Sequence, residues 1–169
     1  MIDNLIKKIT NCRVCKGKNL IKVFSFGPTP LANAFVEKKN IDFQESFYPL
    51  EVYFCKDCSF ITLGHVVSPK VLFGNYVYVS STSKVFIEHF RRFAESAYKK
   101  FELNEKSLVI DIGSNDGILL KPFKNLHTKV LGVEPATEIA KVARKDGIET
   151  MSYFFNVPLA QKIVDKKEI

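Results

Sequence analysis

The sequence has no tryptophan, no unpaired cysteine and no apolar run near the roughly 20 residues that a membrane span needs. Fifteen phenylalanines and six tyrosines can nevertheless fill a core in a chain of 169 residues. The N-terminus carries no signal-peptide hydrophobic stretch, and no internal repeat or low-complexity segment is present. We therefore expect a cytoplasmic protein with no membrane partner and with reduced cysteines.

The chain also lacks any stripe of alternating basic and aromatic residues. Its net charge of +7 comes mainly from scattered lysines, most of them near an acidic residue. Such a pattern is typical of a solvated surface and argues against nucleic acid as a partner. The positive charge is compatible with an anionic small molecule as a ligand.

All four cysteines fall into two Cys-x-x-Cys pairs, Cys12 with Cys15 and Cys55 with Cys58. In a reducing compartment two such turns predict one tetrahedral metal site, and zinc is the metal they favour. Four protein ligands leave no open position, so the zinc should be structural. Gly17 lies where a turn around the metal often needs positive φ. Rubredoxin-like iron, an iron–sulfur cluster and a redox dithiol remain alternatives.

The segments around the cysteines predict an α+β zinc-binding module with short antiparallel strands. We expect a helix within residues 1–10, strands over 20–26, 49–54 and 60–63, and a break at 27–30. After the hydroxyl run 80–83, which supplies a helix N-cap, an apolar stripe at helical spacing predicts a long helix.

From residue 105 the pattern changes to alternating strands and helices, beginning with the nearly continuous apolar strand 107–112. This order predicts a partial α/β, Rossmann-like domain with a parallel sheet. We therefore divide the chain into a zinc-binding domain over 1–80, a connecting helix over 81–104 and an α/β domain over 105–169.

A glycine loop follows that first strand, where open parallel sheets bind ligands. Its spacing differs from that of dinucleotide binders, and its acids would repel a pyrophosphate. The loop instead suits a ligand with a cationic part, such as S-adenosylmethionine. The predicted cofactor-binding residues of this loop are Asp111, Gly113, Ser114, Asn115, Asp116 and Gly117.

Glu134 ends the second strand of this domain, 23 residues after Asp111. An acid at this point can accept hydrogen bonds from ribose hydroxyls. Because glycine turns after strands are common, a purely structural turn is the alternative to a cofactor site.

Taken in order along the chain, these motifs resemble the sugar C-methyltransferases that use S-adenosylmethionine and carry an N-terminal zinc-binding domain. The matching segments are 12–15, 55–58, 76–83, 111–117, 132–136 and 147–150. The resemblance implies a nucleotide-linked 4-keto-deoxysugar as substrate, deprotonated next to its ketone before methylation. It also implies that Tyr76 and Tyr78 lie at the catalytic site, with Ser81 and Ser83 near the cofactor. From the residues alone, packing of the tyrosines on a strand is the simpler interpretation.

The chain departs from that family in length. About 65 residues follow residue 104, too few for the usual seven-stranded methyltransferase sheet. We therefore expect an N-terminal part that is inactive alone, with the base beyond residue 169, and self-association through the open sheet edge. Two alternatives remain: a non-enzymatic zinc module that binds protein or nucleic acid, and a scaffold that kept the cofactor turn without the chemistry.

Overall fold

The computed structural model describes residues 5–74 and 76–167. By its internal contacts the chain divides into two compact units, Met1–Phe73 and Gly74–Ile169. Among the described residues, no helix is both long and apolar enough to cross a bilayer.

The first unit is built from short antiparallel strands. Strand β1 pairs with β5, and β2, β3 and β4 form a three-stranded sheet in that order. A short helix, α1, ends the unit. The bounds are β1 Ile6–Lys8, β2 Leu20–Thr29, β3 Tyr48–Cys55, β4 Ile61–Leu63, β5 His65–Val67 and α1 Pro69–Phe73.

The short antiparallel strands predicted for this unit are confirmed, with two local corrections. The helix expected within residues 1–10 is wrong for Ile6–Lys8, which form β1, and residues 1–4 lie outside the described part. Strand β2 does not stop before Gly27 but continues to Thr29. It passes the glycine through a register shift between Ser25 and Pro28, where Gly27 has a φ of 76°. The one extra residue on β2 at this bulge accommodates a sequence that otherwise breaks a strand.

The sheet β2–β3–β4 has one apolar and one polar side. Phe54 pairs with Ile21 and Ile61, which are 41% and 62% exposed, whereas Tyr53 pairs with Lys22 and Thr62 on the other side. This alternation follows from the period of two along a strand.

The second unit is an α/β structure around a parallel sheet. Strand β7 lies between β6 and β8, and both pairings are parallel. The elements are α2 Lys84–Lys100, β6 Leu108–Ile112, α3 Leu120–Asn125, β7 Lys129–Val133, α4 Thr137–Lys145, β8 Thr150–Met151 and α5 Val157–Lys167. The alternation of strands and helices is therefore consistent with a partial Rossmann-like fold.

Helices cover both faces of this sheet, as in doubly wound folds. On one face Leu120 of α3 and Ala143 of α4 are buried together with Ile148. On the other face Leu159 and Ile163 of α5 pack on β7. Because β6, β7 and β8 run parallel, their carboxyl ends lie along one edge of the sheet.

Strand β7 is packed most tightly at Gly132. A Cβ atom at this position would lie 2.5 Å from the Ser114 hydroxyl oxygen and 2.9 Å from Oγ1 of Thr150. Glycine is therefore required where the ends of β6 and β8 approach β7.

Helix α2 is confirmed, and Ser83 is its N-cap, accepting a hydrogen bond from the Phe86 N–H at 3.4 Å. Only part of its apolar stripe is covered, since Ala94 is fully buried while Phe93 is 52% exposed. The helix contacts α3 and belongs to the second unit. The three domains drawn from the sequence remain a prediction, as does self-association through β6, where Ile112 is 56% exposed.

Candidate functional site

The four cysteine thiols of the first unit converge. All four Sγ atoms lie within 4.8 Å of one another, and the Cys12–Cys58 and Cys15–Cys55 pairs are each 3.6 Å apart. Zinc–thiolate bonds of about 2.3 Å place the sulfurs of a regular tetrahedron about 3.8 Å apart. The thiols therefore fit a closed tetrahedral zinc site, as the cysteine spacing predicted.

Each Cys-x-x-Cys turn is closed by the same backbone hydrogen bond. The N–H of Lys16 donates to the carbonyl oxygen of Cys12 at 3.0 Å, and the N–H of Ser59 donates to that of Cys55 at 2.8 Å. Lys16 and Ser59, each directly after the second cysteine of a pair, have φ values of 64° and 60°. The positive φ expected at Gly17 is therefore found at Lys16 instead.

Glycine is required at position 17 because there is no space for a side chain. A Cβ atom there would collide with the Asp57 side chain and lie 3.2 Å from the Cys15 sulfur. Asp57 accepts a hydrogen bond from the Asn19 side-chain amide at 2.5 Å, and so links the two turns. The pairing of Asp57 with Asn19 could not be predicted from the sequence, because no spacing rule connects residues 38 positions apart.

The thiols affect one another's ionisation. The backbone N–H of Cys15 lowers the pKa of the Cys12 thiol to about 6. At Cys15 the Gly17 N–H lowers the pKa, but hydrogen bonding with Cys58, burial and the other thiols outweigh it, and the pKa is raised to about 12. Four thiolates at this spacing need a compensating cation, which zinc supplies.

The glycine loop of the second unit turns sharply at the carboxyl end of β6. The N–H groups of Gly113 and Ser114 both donate to the Val133 carbonyl oxygen, at 2.8 and 3.2 Å. Gly113 has a φ of 80°, and a Cβ atom there would meet nothing within 4 Å, so this side of the loop is open. Gly117 has a φ of 79° and faces Ile148, which a Cβ atom would approach to 3.0 Å. The first glycine thus leaves room for a ligand and the second allows close packing.

Two acids near this loop, Asp111 and Glu134, are close enough for their charges to interact. Burial, together with the negative charge of Glu134, raises the pKa of Asp111 above its ordinary range. Glu134 is only 6% exposed and accepts from the N–H of Asn115 at 2.9 Å and from that of Ala136 at 2.8 Å. A carboxylate oxygen can accept more than one hydrogen bond, so Glu134 retains capacity for a further donor. The pair provides concentrated negative charge, which attracts a cationic group.

The segment 78–81 lies against the same loop. Asn115 donates through Nδ2 to the Tyr78 carbonyl oxygen and accepts at Oδ1 from the N–H of Ser80, both at 2.9 Å. Asp116 accepts from the N–H of Ser81 at 3.3 Å. The second unit therefore brings the hydroxyl run and Tyr78 to the glycine loop, although 35 or more positions separate them in sequence.

The remaining predicted site residues lie at the same end of the second unit. The rings of Tyr76 and Tyr78 contact edge to face, with centroids 6.4 Å apart. Ser114 is fully buried, and its hydroxyl oxygen has no hydrogen-bond partner among the described residues. The Ser83 side chain caps α2. The cofactor and catalytic roles assigned to these residues stay predictions.

These features define a class of protein: a four-cysteine zinc-binding unit followed by an α/β unit with an acidic glycine loop. Residues 12–73 match a family described as "Putative zinc binding domain".

The chain is also similar to curated methyltransferases. It is 34% identical over 165 residues to the C-methyltransferase NovU of Streptomyces niveus, covering 98% of this chain and 39% of that protein. It is 46% identical over 54 residues to the ubiquinone biosynthesis O-methyltransferase of Rhodopseudomonas palustris (strain BisB18), covering 27% of this chain and 21% of that protein. The chain thus spans about two fifths of the length of the first relative.

The comparisons confirm the predicted resemblance to C-methyltransferases with an N-terminal zinc-binding domain. Relatives of this kind imply S-adenosylmethionine as the methyl donor, and the four converging thiols support zinc.

Proposed function

We propose that this chain provides the zinc-binding and cofactor-binding part of a C-methyltransferase that acts on a nucleotide-linked 4-keto-deoxysugar. The observation that carries the proposal is the acidic glycine loop beside Glu134, in a chain that aligns over 98% of its length with a C-methyltransferase. The substrate class rests on the motif resemblance, and the nucleotide sugar is the partner we propose.

In this proposal the cofactor lies on the open side of the loop. S-adenosylmethionine supplies an activated methyl group when bound. Asp111 attracts its cationic part, Gly113 leaves space for it, and Glu134 accepts hydrogen bonds from its ribose hydroxyls. Tyr76 and Tyr78 lie beside the loop and are the proposed contacts to the sugar.

The zinc has a structural role in this proposal. Its four thiolates fill the coordination sphere and leave no position for substrate. The ion holds together two turns that begin 43 positions apart, at Cys12 and Cys55. The proposal therefore places the catalytic reaction in the second unit alone.

A single glycine substitution tests the cofactor site. Gly113→Val places a branched side chain on the open side of the loop and should weaken binding of S-adenosylhomocysteine at least tenfold in isothermal titration calorimetry. Gly27→Val is the matched control, because Gly27 has nearly the same φ (76° against 80°) and equally empty surroundings in the first unit. Both variants carry the same backbone strain. Equal affinities of the two variants would contradict the proposed site.

A further inference from the structure

Asn115 lies at a junction between the two halves of the proposed site. Its backbone N–H donates to Glu134, the acid proposed to hold the ribose. Its side chain donates to the Tyr78 carbonyl oxygen and accepts from the Ser80 N–H. Asn115 is therefore hydrogen-bonded both to Glu134 and to the segment that carries the tyrosines.

Asp116, the next residue of the glycine loop, makes a similar contact with Ser81, the next residue of the segment. Its Oδ2 accepts from the Ser81 N–H at 3.3 Å, and the residue is 1% exposed. Asn115 is 8% exposed. Oδ1 of Asp116 is buried with no hydrogen-bond partner among the described residues. Side chains this deeply enclosed expose almost no surface to a ligand, so their influence on it passes through the residues they hold.

The residue types suit this task. Asn115 has a φ of 49°, a conformation that asparagine tolerates better than most residues. Its amide offers a donor and an acceptor at once, which the Tyr78 carbonyl and the Ser80 N–H require. An aspartate at 115 would provide only acceptors and would add charge beside Glu134.

We propose that Asn115 and Asp116 are positioning residues that fasten the segment 78–81 onto the glycine loop, and so set the tyrosines relative to Glu134. This proposal rests on the cofactor site proposed above. It predicts that a ligand at Glu134 also orders the segment, because Asn115 is bonded to both. Asn115 and Asp116 then act through their neighbours rather than as direct cofactor ligands.

The fastening can be tested on the unliganded chain by hydrogen–deuterium exchange. Asn115→Gly removes both side-chain hydrogen bonds to the segment, together with the local one that Oδ1 accepts from the Asp116 N–H, while glycine accepts the positive φ without strain. Amides of residues 79–82 should exchange about tenfold faster in this variant, and those of β7 should not change. Asn104→Gly is the matched control, since Asn104 also accepts a backbone N–H, from Lys106, but on the exposed surface. Unchanged exchange of 79–82 in Asn115→Gly would overturn the proposal.

The coupling is tested by adding S-adenosylhomocysteine. In the unmodified chain the ligand should slow exchange of residues 79–82. Asn115→Gly should abolish this protection and raise the dissociation constant about tenfold. Asp116→Asn, which keeps an oxygen for the Ser81 N–H, should retain the protection that Asp116→Ala loses.

The outcomes separate the two proposals. Equal ligand-induced protection in the unmodified chain and in Asn115→Gly would refute the coupling. Absence of any binding by the unmodified chain would refute the cofactor site, while the exchange of the unliganded variants would still decide whether Asn115 fastens the segment.

Discussion

Asp111 combines two opposing demands on a single carboxyl group. Burial and the nearby charge of Glu134 raise its pKa, so the folded unit holds the ionised form less readily than the unfolded chain does. The same negative charge is what the proposed site offers to a cationic ligand. A residue of this kind weakens the fold in order to serve binding.

Replacing Asp111 by asparagine should therefore separate stability from binding. The pKa of Asp111 is raised in the folded state. Its contribution to folding stability is therefore fully present below the ordinary pKa near 3.8 and is lost as pH rises through the folded-state pKa. Asp111→Asn should raise the melting temperature of the second unit by a few degrees at pH 7 and by less at pH 4. Its affinity for S-adenosylhomocysteine should fall at least tenfold in calorimetry.

The control for Asp111→Asn is an acid with the opposite shift. The Lys121 amine at 2.7 Å lowers the pKa of Asp146. Asp146 therefore contributes stability at pH 7 that is lost as pH falls, so Asp146→Asn should lower the melting temperature slightly and leave binding unchanged. A lower melting temperature for Asp111→Asn as well would contradict the sign assigned to Asp111.

Single residues also show how far sequence reasoning reaches. Local spacing was enough to predict that the four thiols converge, because two Cys-x-x-Cys turns can supply the corners of a tetrahedron. Asn115 and Asp116 were predicted as cofactor ligands from their place after a strand, whereas their contacts to Ser80 and Ser81 involve residues 35 positions away. No local pattern encodes such a pairing, so it became visible only in the fold.

Among the elements, α2 depends on a cap that its own sequence predicts. Ser83 is the fourth residue of the hydroxyl run, and its side chain accepts the Phe86 N–H. Loss of such a cap costs about 1 kcal/mol of helix stability. The helix begins just after the segment that Asn115 holds, so its first turn also limits the motion of that segment.

Ser83→Ala should therefore destabilise the second unit by about 1 kcal/mol in urea denaturation. The control is Ser96→Ala in the exposed middle of α2, where alanine favours the helix by up to about 0.5 kcal/mol. A Ser83→Ala chain as stable as Ser96→Ala would show that the 3.4 Å hydrogen bond contributes nothing.

Most elements were predictable where periodicity was strong. Strands β3 and β6 and helix α2 follow directly from their apolar spacing. Strand β1 was missed because its three residues gain order from pairing with β5, about 60 positions later. Strand β2 was predicted too short because a glycine and a proline normally break a strand, and pairing with β3 overcomes that preference.

At the scale of the whole molecule, the two units differ in what stabilises them. In the part of the second unit that the structure describes, two buried apolar clusters surround the sheet. Among the described residues of the first unit, 5–73, the buried apolar ones are Cys12 and Cys55, and many phenylalanines are exposed. The first unit should therefore depend on its metal, as small domains with little core do.

Removing zinc with a chelator should unfold residues 11–63 while the sheet of the second unit persists. Hydrogen exchange would show fast exchange in β2–β4 and continued protection in β6–β8, and metal analysis of the untreated chain should give one zinc per chain. Cys55→Ser should behave like the chelated chain.

Ser59→Gly is the control for Cys55→Ser, because it changes the same turn without removing a ligand and suits the φ of 60°. This variant should keep its zinc and its protection. A metal-free chain with protected β2–β4 strands would show that the zinc is not structural.

Close packing at Gly132 also has a consequence for inheritance. A side chain at 132 would displace the hydroxyl groups of Ser114 and Thr150, so the three positions share one small volume. A mutation that enlarges any one of them must be accompanied by a reduction at another. Although successive members of this set are 18 residues apart along the chain, we expect these positions to change together over evolutionary time or not at all.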